Sequence, residues 1–234
     1  MDFAFTLHGF WIPLIQIIGV NIVLSGDNAV VIAMASRSLP PAQQKKAIFW
    51  GSAAAIVMRI ILTIFAVKLL TLPYLKLVGA ALLLWIGYQL LAEGDDDDEI
   101  AASDHLMTAI KTILLADLVM SLDNVIGVAA AAKGSMPLLI FGLAISIPLV
   151  IFGASMLLKV MERFPIIVTI GGGLLGWVAG EMAVGDPAIV DWVHKNAPAL
   201  HEYHLAPIAG VAIVLLLAKI FGHKKDDSNS EAKA

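Results

Sequence analysis

The sequence predicts an all-α membrane protein of about seven transmembrane helices, arranged as two inverted three-helix repeats plus a C-terminal helix. Three observations carry that expectation. Of the 234 residues, 59% are apolar, whereas a soluble domain holds about 45–50%. Apolar runs of about 20 residues recur, the length that crosses a bilayer as a helix. Two motifs also return later in the chain at compatible offsets. The runs lack period-2 alternation and are too long for barrel strands, so a β-barrel is set aside.

The seven spans are roughly 10–35, 47–69, 73–92, 106–131, 137–158, 166–184 and 205–222. The first runs from Phe10 to Ala35 and is followed by Pro40-Pro41. It reads as a retained helix rather than a leader, because Asp2 and His8 stand where a basic segment should be. Ala33-Met34-Ala35 imitates a cleavage site, but the run before it is too long and is interrupted by Gly26-Asp27. The second span contains Arg59, the one clearly intramembrane cation. The third ends at the acidic stretch Gly94 to Glu99, and the fourth at Gly134 to Pro137. Pro165 precedes the sixth, and Pro207 falls in the first turn of the seventh. Residues 1–222 form a single transmembrane domain, with repeat A at about 10–93, repeat B at about 106–185 and the seventh helix at about 205–222. The polar tail 223–234 is expected to be disordered.

Lysine and arginine placement sets the expected orientation. With the N-terminus outside, the cytoplasmic loops and tail hold Arg37, Lys45, Lys46, Lys111, Lys159, Arg163, Lys219, Lys224, Lys225 and Lys233. The outer side holds Lys68, Lys76, Lys133 and Lys195. Ten against four favours N-out, C-in. The chain has no cysteine, which excludes disulfides, thiolate metal ligands and cysteine nucleophiles. A net charge of −4 without a basic patch excludes nucleic-acid binding.

The repeat is visible in two places. Asn21-Ile-Val-Leu-Ser25-Gly-Asp27-Asn28 aligns without gaps to Asp117-Leu-Val-Met-Ser121-Leu-Asp123-Asn124. Gly79 to Gln89, with Trp85, aligns to Gly171 to Glu181, with Trp177. A shift of three spans reverses direction across the membrane, so the repeats are inverted.

Polar groups inside these spans form stripes. Asn21, Ser25 and Asn28 are spaced i, i+4, i+7 on one helix face, and Asp117, Ser121 and Asn124 repeat the spacing. Asp27 and Asp123 lie roughly 100° round from those stripes in an ideal helix. Gly26 precedes Asp27 and offers a place for the first span to unwind, which would bring Asp27 and freed carbonyls to the same site. Glu181 is a fourth carboxylate, deep in the sixth span. Four carboxylates against one guanidinium leave three excess negative charges, too costly in a low-dielectric region without cations or protons. A divalent ion cancels two of them and a proton the third. Carboxylate, amide and carbonyl oxygens suit a hard cation: manganese, magnesium or calcium. The candidate metal ligands are therefore Asp27, Asn28, Asp117, Asp123, Asn124 and Glu181, with Asn21, Ser25, Ser121 and Arg59 as supporting polar groups.

Other clusters read more simply. Asp95 to Glu99 make a solvated acidic loop able to gather cations. Asp186, Asp191, His194, His201, Glu202 and His204 read as outer-loop surface residues, although His201 and His204 have i, i+3 spacing. Gly171-Gly172-Gly173 lacks the strand of a nucleotide loop and reads as close helix packing.

At Ser25-Gly26-Asp27-Asn28-Ala29 and Ser121-Leu122-Asp123-Asn124, with Gly176-Trp177-Val178-Ala179-Gly180-Glu181 later, the chain resembles the TerC family of integral membrane proteins, in its compact bacterial form. The resemblance covers residues 10–222. It implies a place in the LysE-like exporter superfamily, a bacterial inner (plasma) membrane location and manganese efflux. It also implies Asp27, Asn28, Asp123 and Asn124 as the metal site and, beyond them, Glu181. Manganese comes from the resemblance; the residues leave the hard ion open. The leading expectation is a secondary exporter of a divalent cation, with manganese as the cargo and protons in exchange. It needs no prosthetic group, and its partners are the metal ion and the lipid bilayer. A homo-oligomer or a membrane-protein partner is compatible with it. The competing expectations are a small-solute exporter and a non-transporting scaffold docking through the acidic loop or tail. An intramembrane aspartyl protease is disfavoured, because each Asp is followed by Asn within matched repeats rather than paired to share a proton.

Overall fold

The computed structural model describes residues 10–69, 71–92, 102–132 and 135–231. The acidic stretch 95–99 and Lys133 lie outside the described residues, as do Asp2 and His8. The side chains of Asp123 and of residues 221–231 are also outside them. What is described is helix and short connections, with no strand among the described residues. Among the described residues, five helices are long and apolar enough to cross a membrane, or six when one bent pair counts as a single span. Large apolar side chains stay exposed along them, Phe65, Trp85 and Phe152 among these. That is the surface lipid covers and water would not tolerate. The chain is a multi-pass helical membrane protein.

It divides into two compact units. The first holds α1 (Ile12–Leu24), α2 (Gly26–Ser36), α3 (Pro41–Leu69), α5 (Ala102–Ala131) and most of α6 (Met136–Arg163). Its core joins Leu14 and Ile17 of α1, Ile56 of α3, Val128 of α5 and Leu139 and Leu143 of α6. The second unit holds α4 (Leu75–Ala92), α7 (Ile166–Val184), α8 (Val190–Asn196), α9 (Ala199–Glu202) and α10 (Leu205–Glu231). Here small residues set the packing. A Cβ on Gly172 would sit 2.5 Å from the Leu91 side chain, and one on Gly176 would sit 2.5 Å from the Gly210 carbonyl oxygen. Backbones of α7 and α10 thus approach as membrane helices do when a larger side chain is absent between them. The glycine run meets the expectation of close packing.

The helices depart from the expected spans in four ways. The first span is two helices, α1 and α2, bent by 48°. The third helix starts at Pro41 rather than at 47, because a proline at the first helical position has its φ already set and its missing N–H is not needed there. The seventh expected span has only a short apolar stretch, Leu205–Ile220. Its helix nevertheless runs to Glu231, through the segment expected to be disordered, and no proline or glycine after Gly222 interrupts it. Finally, the loop before α10 carries two short helices, α8 and α9, that no long apolar run announces.

Candidate functional site

The break between α1 and α2 falls at Ser25, whose backbone is non-helical at φ −113°, ψ 5°. In an unbroken helix the Asn28 N–H would donate to the Leu24 carbonyl. Here each takes a side-chain partner instead. The Asn28 N–H donates to Asp27 Oδ1 at 2.8 Å, and Leu24 O accepts from Asn124 Nδ2 of α5 at 3.0 Å. Two of the expected site residues therefore hold the break open, satisfying the groups that the missing rung would leave bare. A Cβ at Gly26 would meet nothing within 4 Å, so no close contact requires a glycine there. The break falls at the position where Gly26 was expected to let the span unwind.

Beside the break, the two polar stripes converge on Arg59 of α3, which is 2% exposed. Its Nη1 donates to Asn21 Oδ1 at 2.6 Å and to Ser25 Oγ at 2.7 Å. Its Nε donates to Ser121 Oγ at 3.0 Å, and its Nη2 to Asp117 Oδ1 at 2.5 Å. The other Asp117 oxygen accepts from the Ser121 hydroxyl at 3.2 Å. A guanidinium so deep in apolar helices is stable only with its charge matched and its fork of donors filled. Asp117 supplies the charge, and the two serines and Asn21 fill the remaining donors. Asp117 thus makes an internal ion pair with Arg59. Arg59 is the centre of the cluster.

The third members of the stripes behave differently. Asn28 is 2% exposed, and neither its Nδ2 nor its Oδ1 has a protein hydrogen-bond partner. Asn124 bridges to Leu24. Asp27 is half-buried in the first turn of α2. The backbone places Asp123 in α5, one residue before Asn124, and its side chain is outside the described residues. Glu181 belongs to the other unit and is exposed on α7. What unit one brings together is therefore an internally neutral Arg59–Asp117 cluster and, at the break, oxygen donors from Asp27 and Asn28.

Several residues have roles that sequence reasoning missed. Ser36 and Ser52 are buried with hydroxyls that lack a protein partner. Their signal was spacing: Ser52 stands seven residues before Arg59, on the same helix face. Asp186, expected at the surface, is 0% exposed. Its carboxylate accepts from the N–H groups of Tyr74 (2.9 Å), Lys76 (2.9 Å) and Leu77 (3.1 Å) at the start of α4, and from Ala188 (2.7 Å). Burial pushes this carboxyl up, but the four backbone donors outweigh it and hold it below the ordinary value of 3.8. It caps α4 from a distant part of the chain, leaving Tyr74 at a left-handed φ of 66°. His201 and His204 do not pair. His204 stacks on Trp177 with centroids 5.6 Å apart, and His201 meets the His194 ring edge-on at 5.7 Å.

Apolar spans, a helix broken mid-run and a charged cluster sealed between them define a polytopic membrane protein built around an intramembrane polar centre. The family can be stated more closely. The profile of the Integral membrane protein TerC family matches residues 6–227, and the chain belongs to that family. It is 44% identical over 209 residues to the membrane protein YjbE of Bacillus subtilis, covering 89% of this chain and 94% of that one. It is 29% identical over 227 residues to YkoY of the same organism, covering 88% and 68%. The Tellurium resistance protein TerC of Serratia marcescens is 36% identical over 110 residues, 44% of this chain and 32% of its own. No solved structure matches.

Proposed function

We propose that the protein is a secondary exporter of a divalent metal cation, with manganese as cargo and protons in exchange, in a bacterial inner membrane with its N-terminus outside. The observation that carries this is the Asn28 amide, buried beside Asp27 at the helix break with no protein partner on either polar atom. A buried amide needs a partner, and its Oδ1 and the Asp27 carboxylate beside it are hard oxygens of the kind a manganese or magnesium ion takes. Asp123, the repeat-mate of Asp27, supplies the second charge. Membership of a family that includes a tellurium-resistance protein supports membrane transport, although an oxyanion cargo finds little to hold it here. Arg59, the intramembrane cation, already donates to four side chains.

The test is manganese flux in proteoliposomes under an imposed proton gradient, for the native chain and for Asp27→Asn and Asp123→Asn. The native chain moves manganese, and each variant inserts normally but does not. Undiminished efflux by either variant would overturn the proposal. Competition by magnesium and calcium in the same vesicles reads the ion preference.

A further inference from the structure

The unpartnered polar atoms of unit one are not scattered. Among the described residues the buried side-chain atoms without a partner are Asn21 Nδ2, Asn28 Nδ2 and Oδ1, Ser36 Oγ, Gln43 Oε1 and Ser52 Oγ. All lie on α1, α2 or α3. Helices α2 and α3 pack against each other and are joined by only Arg37 to Pro40. They are therefore antiparallel neighbours, and residues at equal distances from the turn stand level. Ser36 and Gln43 stand close to the turn, Asn28 and Ser52 stand further in, and the Arg59 cluster lies beyond them. Eleven residues separate Ser25 from Ser36, a rise of about 16 Å. That is about half of the ~30 Å hydrocarbon thickness.

Hydroxyls inside membrane helices have an easy alternative. They donate back to the carbonyl one turn earlier, as Thr63 does to Arg59 O at 2.7 Å and Ser146 does to Gly142 O at 2.8 Å. Ser36 and Ser52 make no such bond, though both are buried. Polar atoms that neither lipid nor protein satisfies are costly at membrane depth, and a line of them from the polar centre to one end of a helix pair is what a wetted passage requires.

We propose that the α2–α3 pair, through Asn28, Ser52 and Ser36, carries a water-accessible half-path linking the break at Asp27 to the membrane surface at the α2–α3 turn. Side-chain oxygens along it replace part of a hydrated cation's water shell as the ion approaches Asp27. This second statement rests on the cation-export reading; the accessibility of the path does not.

The chain contains no cysteine, so single substitutions report without background. Ser36→Cys and Ser52→Cys would be treated in oriented vesicles with a charged, membrane-impermeant methanethiosulfonate, added to one side at a time. Ala47→Cys and Ala154→Cys, at buried apolar positions, serve as controls. Both serine positions should react from the same side, at least about tenfold faster than the controls, since a thiol sealed in apolar packing is inert. Manganese alone should slow the reaction at Ser52→Cys. Labelling that manganese does not affect would uphold the path and count against the cation reading. Serine variants as inert as Ala47→Cys would overturn the path. A second measurement covers variants that fold poorly. Ser36→Ala with Ser52→Ala should lower manganese flux if the hydroxyls line a passage. If the pair instead raises thermal stability and leaves flux unchanged, the hydroxyls are merely buried and the proposal fails.

Discussion

Replacing Asp117 by Asn separates the two roles that an intramembrane aspartate can have. Were it a metal ligand, the variant would fold normally and lose transport. The structure puts its carboxylate on Arg59 Nη2 at 2.5 Å, with both residues nearly inaccessible. Removing one partner of a buried pair leaves an uncompensated charge, at a cost of about 3–5 kcal/mol. Asn21, Ser25 and Ser121 still accept from the guanidinium, but dipoles do not cancel its charge. The asparagine variant should therefore be destabilised by that amount. Removing the charge as well, in Arg59→Met with Asp117→Asn, should recover more than half of it, because isosteric replacement of a whole buried pair is close to neutral. The assay is equilibrium unfolding of the four proteins of this double-mutant cycle in mixed micelles. A single variant as stable as the native chain would refute the argument, and so would a double variant no better than the single.

Other outcomes follow from the geometry. Asn124→Leu removes the donor to Leu24 O at the break and should cost about 1–3 kcal/mol in the same unfolding assay. Gly26→Ala has space for its methyl, so it should keep or slightly raise stability, by up to about 1 kcal/mol, and leave flux within error of the native chain. Asp186→Ala strips the acceptor from the N–H groups of Tyr74, just before α4, and of Lys76 and Leu77 in its first turn, and should cost about 1–2 kcal/mol, as loss of a helix cap does. Because the folded carboxyl is held below 3.8, this contribution is present above the unfolded-state value and fades only as pH falls through the lower folded one. Native and variant should thus converge in stability in acid and differ by a constant amount at neutral pH.

Much of this was readable from residue order. The recurrence of apolar runs placed the long helices, and i, i+4, i+7 spacing found Asn21, Ser25, Asp117 and Ser121, which do meet. What spacing does not reveal is who meets them. Arg59 sits on another helix, and its approach depends on how α3 packs against α5, a tertiary fact with no periodic trace. For the same reason a formal charge count placed Asp117 and Glu181 with Asp27, although one is paired internally and the other is exposed in a different unit. Asp186 was missed because its partners at Tyr74, Lys76 and Leu77 are more than a hundred residues away. The break at Ser25 was half legible. Gly26 marked the place, and Asp27 and Asn124 satisfy the groups freed there.

On the proposed export function, the pairing of Asp117 leads to a stoichiometry. With that carboxylate neutralised by Arg59, the acids left within the spans of unit one are Asp27 and Asp123. Their two negative charges match one divalent cation without any further proton. When the cation leaves, two bare carboxylates in a low-dielectric region are costly, and the simplest compensation is a proton on each. The exchange should then be two protons for one divalent ion, and electroneutral, with the same carboxylates carrying both. Glu181 has no part in this count, so Glu181→Gln should transport with an unchanged pH profile. Manganese flux in vesicles clamped with a potassium ionophore decides the matter. It should follow the pH difference and ignore the imposed potential. Flux that a potential drives at zero pH difference would show an uncompensated charge moving. A profile displaced by Glu181→Gln would return that residue to the cycle and show that the charge count must include both units.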